Sequence, residues 1–430
     1  MSGSDVVISG FGMVTSLGSS VAENASGIKE RRTGLRAFEE DGIPPSLRTR
    51  GEAPDIEPTE GLHPRLAPHA KFLNRGSMLG LAATREAVQN AAIDLEAIPP
   101  ERKSAVIGAG DMSKLAYTDF YPAFVEATGG DLSDPVDTAA LNKASFGGVN
   151  PLFLLESLNN NLFSFLTAAF ELRGSGTSIA AQSPAGAQAL SLAWHTIREE
   201  RSDVALAVGY GSWINPLALY EMHGLGLLSK CLAGEASYRP MDRRRDGFIA
   251  GEGGACLVLE RRDSAEARGH RPLARLASAA DAHQPAERSG LGIPREAIVR
   301  AASLAMEEAG VGIEHLGFIS PHGSGTRKGD RAEMAAMAEL LGDRAPSVPI
   351  CCLKPYAGHM AACSDIGEVG LSALALRERF APATLNFDRA EEPFSALSLS
   401  SEHRPAPGRA VLSISYGLGG QASALVAMAE

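Results

Sequence analysis

An α/β architecture is what this 430-residue chain predicts, and two observations predict it. Short apolar, β-rich runs alternate with Ala- and Leu-rich helical stretches. A second series of similar order then follows the first, which points to a duplication at the level of structure, although the two halves share too little sequence to prove it.

The first series places strands at "DVVISGFGMV" (5–14), "SAVIGAG" (104–110), "GTSIAA" (176–181), "DVALAVGYGS" (203–212) and "GGACLVLERR" (253–262). The second places them at "HLGFISPHG" (315–323), "VPICCLKP" (348–355), "AVLSISYGLG" (410–419) and "SALVAMA" (423–429). Helices are predicted between them at "RGSMLGLAATREAVQNAAI" (75–93), "GAQALSLAWHTIREE" (186–200) and "GDRAEMAAMAELLG" (329–342). Polar stretches bearing Pro and Gly at 39–68 and 127–150 read as surface excursions, and "ADAHQPAERSGLGIP" (280–294) reads as the connection to the second half. The predicted halves are 1–262 and 263–430.

Composition narrows the function. Hydrophobic residues make up 44% and charged residues 21%, as in ordinary soluble globular proteins. Forty Lys and Arg against 51 Asp and Glu give a net charge of −11, which argues against nucleic acid as the main partner but leaves room for a local basic patch. "MSGSDVVISGFGMVTSLG" has no cationic segment ahead of a long apolar run, and no stretch is long enough to span a bilayer. The five cysteines, Cys231, Cys256, Cys351, Cys352 and Cys363, form no C-x-x-C pair. Reduced thiols in a cytoplasm, without a metal site, are the expectation.

The segment "GSGTSIAAQSPAGAQAL" (174–190) predicts a strand running through a tight turn into a helix, with Gln182 and Ser183 at the bend. One reading is structural: Ser183 followed by Pro184 is a helix N-cap with proline in the first turn. The other is functional. A side chain on such a turn projects above the sheet at the positive end of a helix dipole, beside N–H groups able to hold an oxyanion. A serine there needs a base, which requires a histidine elsewhere in the chain.

Two histidine segments exist. "SPHGSGTRKGD" carries His322 and Asp330, and "CLKPYAGHMAACSDIGE" carries Lys354, His359 and Glu368. Both histidines follow predicted strands, where α/β folds gather ligand-binding groups. A lone histidine in such a place is more often hydrogen-bonded structure than catalyst. Two of them with a lysine and glycine-rich turns make coincidence less attractive. "SISYGLGGQAS" (413–423) adds a glycine-rich bend whose N–H groups would face a substrate carbonyl.

These motifs, in this order, resemble the β-ketoacyl-ACP synthases of the thiolase superfamily over nearly the whole chain. "VVISGFGMVTSLG", "YRPMDRRRDGFIAGEGGACLVLE", "PHGSGTRKGD", "LKPYAGHMAA" and "SISYGLGG" carry the resemblance. It implies a thiolase fold: two fused βαβαβαββ halves in a five-layer αβαβα arrangement, as a homodimer. It also implies acyl groups delivered as thioesters on the phosphopantetheine arm of an acyl or peptidyl carrier protein, with no cofactor of the protein's own.

The family reads G-P-S-x-S-I-x-T-A-C-x-S-G through the bend. Laid without gaps on "GSGTSIAAQSPAG", it matches Gly174 and Gly186 to the family's glycines and puts Ser183 on the cysteine. A frame shifted by one would put Gln182 there, as in decarboxylating or chain-length-factor relatives, but misplaces both glycines. The resemblance therefore implies Ser183 as acyl acceptor, His322 and His359 as active-site histidines, and Lys354 with Glu368 as a supporting charged pair. Asp330 would be a partner behind them, and the backbone N–H groups of Ser183 and Leu418 would form the oxyanion hole. Tyr416 and Leu418 stand where the family usually has phenylalanines. "HAKFLNRGSMLGLAA" (69–83) is similar to the family's helix near the carrier-docking face. Lys71 and Arg75, with Arg243 to Arg245, would then form a basic patch for an acidic carrier.

Serine changes the chemistry. A thiolate is reached easily near neutral pH and a serine alkoxide is not, so acylation needs a base, with neutral His322 or His359 expected in that role. The oxyester product is a poorer electrophile than a thioester, so ordinary chain extension should suffer. One expectation is an intramolecular aldol step with lactone-forming release, similar to the ketosynthase-derived bicyclase of salinosporamide-type γ-lactam-β-lactone biosynthesis. Malonyl-carrier decarboxylation or an atypical condensation is an alternative. So is a non-catalytic subunit like a chain-length factor, although such relatives tend to lose the histidines kept here.

Overall fold

β1 (Val6–Val14) is buried along its whole length and lies near the middle of an 11-stranded sheet. The computed structural model describes residues 5–57, 59, 62–111, 117–131, 133–151, 153, 155, 158, 160–285 and 292–430. After β1 the first half runs through α1 (Arg75–Ala91), β2 (Lys103–Ala109), β3 (Thr177–Ala180), α2 (Ala185–Arg198), β4 (Val204–Ser212) and β5 (Glu252–Arg261). The second half repeats the pattern. It runs through β6 (Ala274–His283), α3 (Arg295–Ala309), β7 (Leu316–Ser320), α4 (Arg327–Leu341), β8 (Pro349–Ile350) and α5 (Ala362–Arg377). An edge strand, β9 (Ser398–Leu399), then precedes β10 (Ala410–Tyr416) and β11 (Gln421–Ala429).

Strand order exposes the duplication. Across the sheet it reads β9-β8-β7-β10-β11-β6-β1-β5-β4-β2-β3. Leaving β9 aside, each half runs third, second, fourth, fifth, first from its outer edge inward. The second strand of each half is parallel to its third and fourth, and the fourth-fifth and fifth-first pairs are antiparallel in both. The halves join where Val7 faces Arg275 and Ile8 faces Ala274.

Helices complete the layers. α2 and α5 pack on each other between the two half-sheets; α1 covers β1, β4 and β5 on one outside, and α3 covers β6, β10 and β11 on the other. The result is the five-layer αβαβα arrangement of the thiolase fold. α5 is apolar nearly all round because it has no solvent face, and all but two of its residues are buried. α2 can approach it closely because position 186 is glycine: a Cβ there would stand 2.1 Å from the Ala362 carbonyl oxygen.

Three departures of this fold from the sequence reading bear most on its organisation. β6 was not anticipated, and the expected connection at 280–294 includes its last residues. "ARLASAADAH" carries no β-branched or aromatic residue, and the segment is a strand because β1 and β11 flank it. Residues 286–291 of that connection lie outside the described residues. The strand expected over 348–355 is only Pro349–Ile350, followed by the short helical turn Lys354–Ala357. The excursion expected over 127–150 contains a helix, Thr138–Gly148. Among the described residues, no helix is long and apolar enough to cross a membrane.

Candidate active site

β3 ends at Ala180 and α2 begins at Ala185, so the chain turns at Gln182 and Ser183; the peptide between Ser183 and Pro184 is cis. Gln182 is exposed on the rim, whereas Ser183 is buried. The Ser183 hydroxyl donates to Asp365 Oδ1 at 3.1 Å, and the Gly186 amide donates to Asp365 Oδ2 at 3.1 Å. The N-cap expected of Ser183 is therefore not made. Pro184 holds the cap position without a side-chain bond, and Asp365, reaching across from the first turn of α5, takes an N–H of α2. Burial pushes the Asp365 carboxyl up to about 6, opposed by the Lys354 charge and by bonds from Ser183, Ser415 and Gly186.

His322 follows β7 and is fixed through its backbone. Its amide donates to Glu333 Oε1 at 2.6 Å, and the Gly323 amide donates to Glu333 Oε2 at 2.9 Å. Burial pushes Glu333 up to about 8 despite these bonds, with nearby Asp330 adding to the rise. Asp330 acts one step further along the loop. It accepts from Ser324 Oγ at 3.1 Å, the Gly325 amide at 2.9 Å and the Met241 amide at 2.7 Å. Gly325 has φ +78°, and a Cβ there would stand 2.7 Å from the Gly247 carbonyl oxygen, so the turn requires glycine.

His359 follows the Lys354–Ala357 turn. Its Nδ1 accepts from the Ala361 amide at 3.2 Å, so the neutral ring carries its proton on Nε2. Its ring centroid lies 4.7 Å from that of Trp213, 5.0 Å from Phe248 and 5.0 Å from His322. His322 also packs 4.5 Å from Tyr416, and its Nδ1 has no hydrogen-bond partner among the described residues. Burial, and then the Lys354 charge, hold both imidazoles well below their ordinary range, so both are neutral near pH 7. Lys354 Nζ bonds both Glu368 oxygens at 3.0 and 3.1 Å behind them, and burial pushes Glu368 up to about 7.

Ser183, Gln182, His322, His359, Tyr416 and Leu418 line one cavity of about 90 Å³, with Trp213 and Phe248 on its apolar wall. The first half contributes the hydroxyl and the second contributes both imidazoles. Gly417, beside Leu418, packs on the serine backbone: a Cβ there would stand 2.1 Å from the Ser183 carbonyl oxygen.

The expected basic patch needs correction. Arg245 is buried, held by Glu391 at 2.7 Å, the Arg327 carbonyl at 2.9 Å and the Asp242 carbonyl at 3.0 Å, so it cannot meet a carrier. Arg75 is half-buried, with its guanidinium on Glu252 at 2.9 Å and the Ala53 carbonyl at 2.7 Å. Lys71 and Arg243 are exposed. Sequence reasoning also missed Asp365 and Glu333. A carboxylate interrupting the apolar run "AACSDIG" was a signal for the first. Placement three residues after Asp330 on one helix face was a signal for the second.

The profile of the beta-ketoacyl synthase N-terminal domain matches residues 3–265, and that of the C-terminal domain matches residues 273–388. The chain belongs to the beta-ketoacyl synthase family. This ketosynthase-family chain is 28% identical to a putative polyketide beta-ketoacyl synthase 1 of Streptomyces cyaneus, over 98% of its own length and 97% of the relative's. It is also 28% identical to the tetracenomycin polyketide synthase ketoacyl synthase alpha subunit of Streptomyces glaucescens, over 98% and 96%. The ishigamide ketosynthase/chain length factor superposes with a TM-score of 0.83 and 26% identity over the whole of both chains. A type II polyketide synthase ketosynthase, solved with its acyl-carrier protein and bound to the hexaketide, superposes with a TM-score of 0.84 at 23% identity over both whole chains, a likeness of fold.

Proposed function

We propose that this ketosynthase-family protein accepts an acyl group from a carrier-protein thioester onto Ser183 and forms a carbon–carbon bond within that acyl chain, in polyketide or hybrid-peptide biosynthesis. The observation that carries the reading is the buried Ser183 hydroxyl, hydrogen-bonded to a carboxylate, in one cavity with two neutral imidazoles. The frame that puts Ser183 on the family's cysteine supports it, as do relatives named for polyketide synthesis.

Each group then has a task. The Ser183 ester holds the acyl chain, and the amides of Ser183 and Leu418 face its carbonyl oxygen. His322, neutral and lining the cavity, takes the α-proton, and His359 Nε2–H donates to the enolate oxygen. The enolate carbon attacks a carbonyl further along the same chain. The alkoxide so formed attacks the seryl ester carbonyl and leaves as a lactone, while the expelled Ser183 oxygen takes back the proton held on His322, returning both to their starting state. The substrate brings its own phosphopantetheine. A homodimer belongs to the same reading, because β3 stands at one end of the sheet; sedimentation should give the mass of two chains.

Intact-protein mass spectrometry with candidate acyl-carrier thioesters tests the central step. A mass increase equal to the acyl group, absent from Ser183→Ala, is the expected result. No adduct with any carrier thioester, with carbon dioxide still released from malonyl-carrier by Ser183→Ala, would replace this reading with non-covalent decarboxylation.

A further inference from the structure

Resting on the reading that Ser183 is acylated, we propose that Asp365, and not a histidine, removes the Ser183 proton. The hydroxyl already donates to Asp365 Oδ1 at 3.1 Å across the seam between the halves. His359 is a poor candidate, because its Nδ1 is occupied by the Ala361 amide and its Nε2 carries the proton. His322 lines the same cavity, yet the serine hydrogen bond is made to the carboxylate.

Asp365 is surrounded as such a base requires. The Gly186 amide holds its second oxygen, the Ser415 hydroxyl bonds it from β10, and the Lys354 charge favours its ionised form. The other titratable groups facing it are Glu368 and the Cys363 thiol. Burial keeps it basic enough to work near neutral pH.

The step balances. Ser183 Oγ attacks the thioester carbonyl carbon while its proton passes to Asp365 Oδ1. The tetrahedral intermediate collapses with cleavage of the carbon–sulfur bond, and the Asp365 proton passes to the departing pantetheine sulfur. The carboxylate is regenerated without either histidine changing its protonation. Labour is thereby divided: the carboxylate serves the oxygen nucleophile, and the imidazoles stay neutral for the carbon chemistry that follows.

A purely structural Asp365, serving as the cap of α2, makes a different prediction. Asp365→Asn keeps an acceptor for the Gly186 amide but loses basicity. Seryl acylation, followed by mass spectrometry at pH 7.5, should fall at least about 100-fold in this variant. The wild-type rate should decline below about pH 6 along a limb that Asp365→Asn lacks. In a Ser183→Cys background, where a thiol needs less help, Asp365→Asn should cost only a few-fold; a cap role would penalise both backgrounds alike. Acylation of Asp365→Asn within a few-fold of wild type, an unchanged acid limb that would belong to Glu368, or an equal penalty in the cysteine background overturns the proposal while leaving the seryl ester intact. A wild-type protein never acylated on Ser183 removes the underlying reading instead, and this assignment with it.

Discussion

Ser183 and Gly417 show how one missing Cβ fixes the proposed acyl acceptor. The Ser183 carbonyl lies where a side chain at position 417 would sit, so the serine backbone rests directly on the glycine-rich bend. Gly417→Ala must displace the bend or the serine. Seryl acylation is expected to fall more than about 10-fold, with a stability loss of about 1–3 kcal/mol, measured by adduct formation and thermal denaturation. At this scale the sequence is legible where chemistry and local pattern coincide. His322, His359 and Lys354 announce themselves by lying beside glycine-rich turns at strand ends. Asp365 does not, because its partner Ser183 is 182 residues away, and nothing local says that two helix starts will meet.

Helices α2 and α5 carry these groups to each other, and their crossing depends on small residues. Gly186→Ala would press a methyl group onto the Ala362 carbonyl, so a lower melting temperature is expected, with the acylation rate falling as Ser183 and Asp365 separate. α4 contributes differently, by holding Glu333 under the His322 turn. Its carboxyl is raised from 4.5 to about 8, so its contribution to stability is complete below the unfolded value and is lost as pH rises through about 8. Glu333→Gln should therefore lose less melting temperature than wild type between pH 5 and pH 8. Element boundaries were readable for α1, α2 and α4, whose apolar periodicity is long. β6 was not readable, because alanines have no strand preference and its flanking strands lie far off in sequence.

At the scale of the whole molecule, the repeated order of strands and helices was visible along the chain, whereas the antiparallel seam joining the halves was not. The charge balance bears on docking. With a net charge of −11, the proposed acidic carrier would be repelled over most of the surface, so the exposed cations left after Arg245 and Arg75 are set aside would matter more. Arg243→Glu and Lys71→Glu are expected to raise KM for carrier-bound substrate several-fold at low salt while leaving kcat unchanged. Turnover of a free pantetheine thioester should not change. That comparison separates docking from chemistry.

The hydroxyl and the groups that act with it lie on opposite sides of the join between the two repeats. Because α2 and α5 are the buried central layer, packed on the strands of both halves, the site comes apart only when the core itself opens. Inactivation on heating should accordingly coincide with the change in far-ultraviolet dichroism and not precede it.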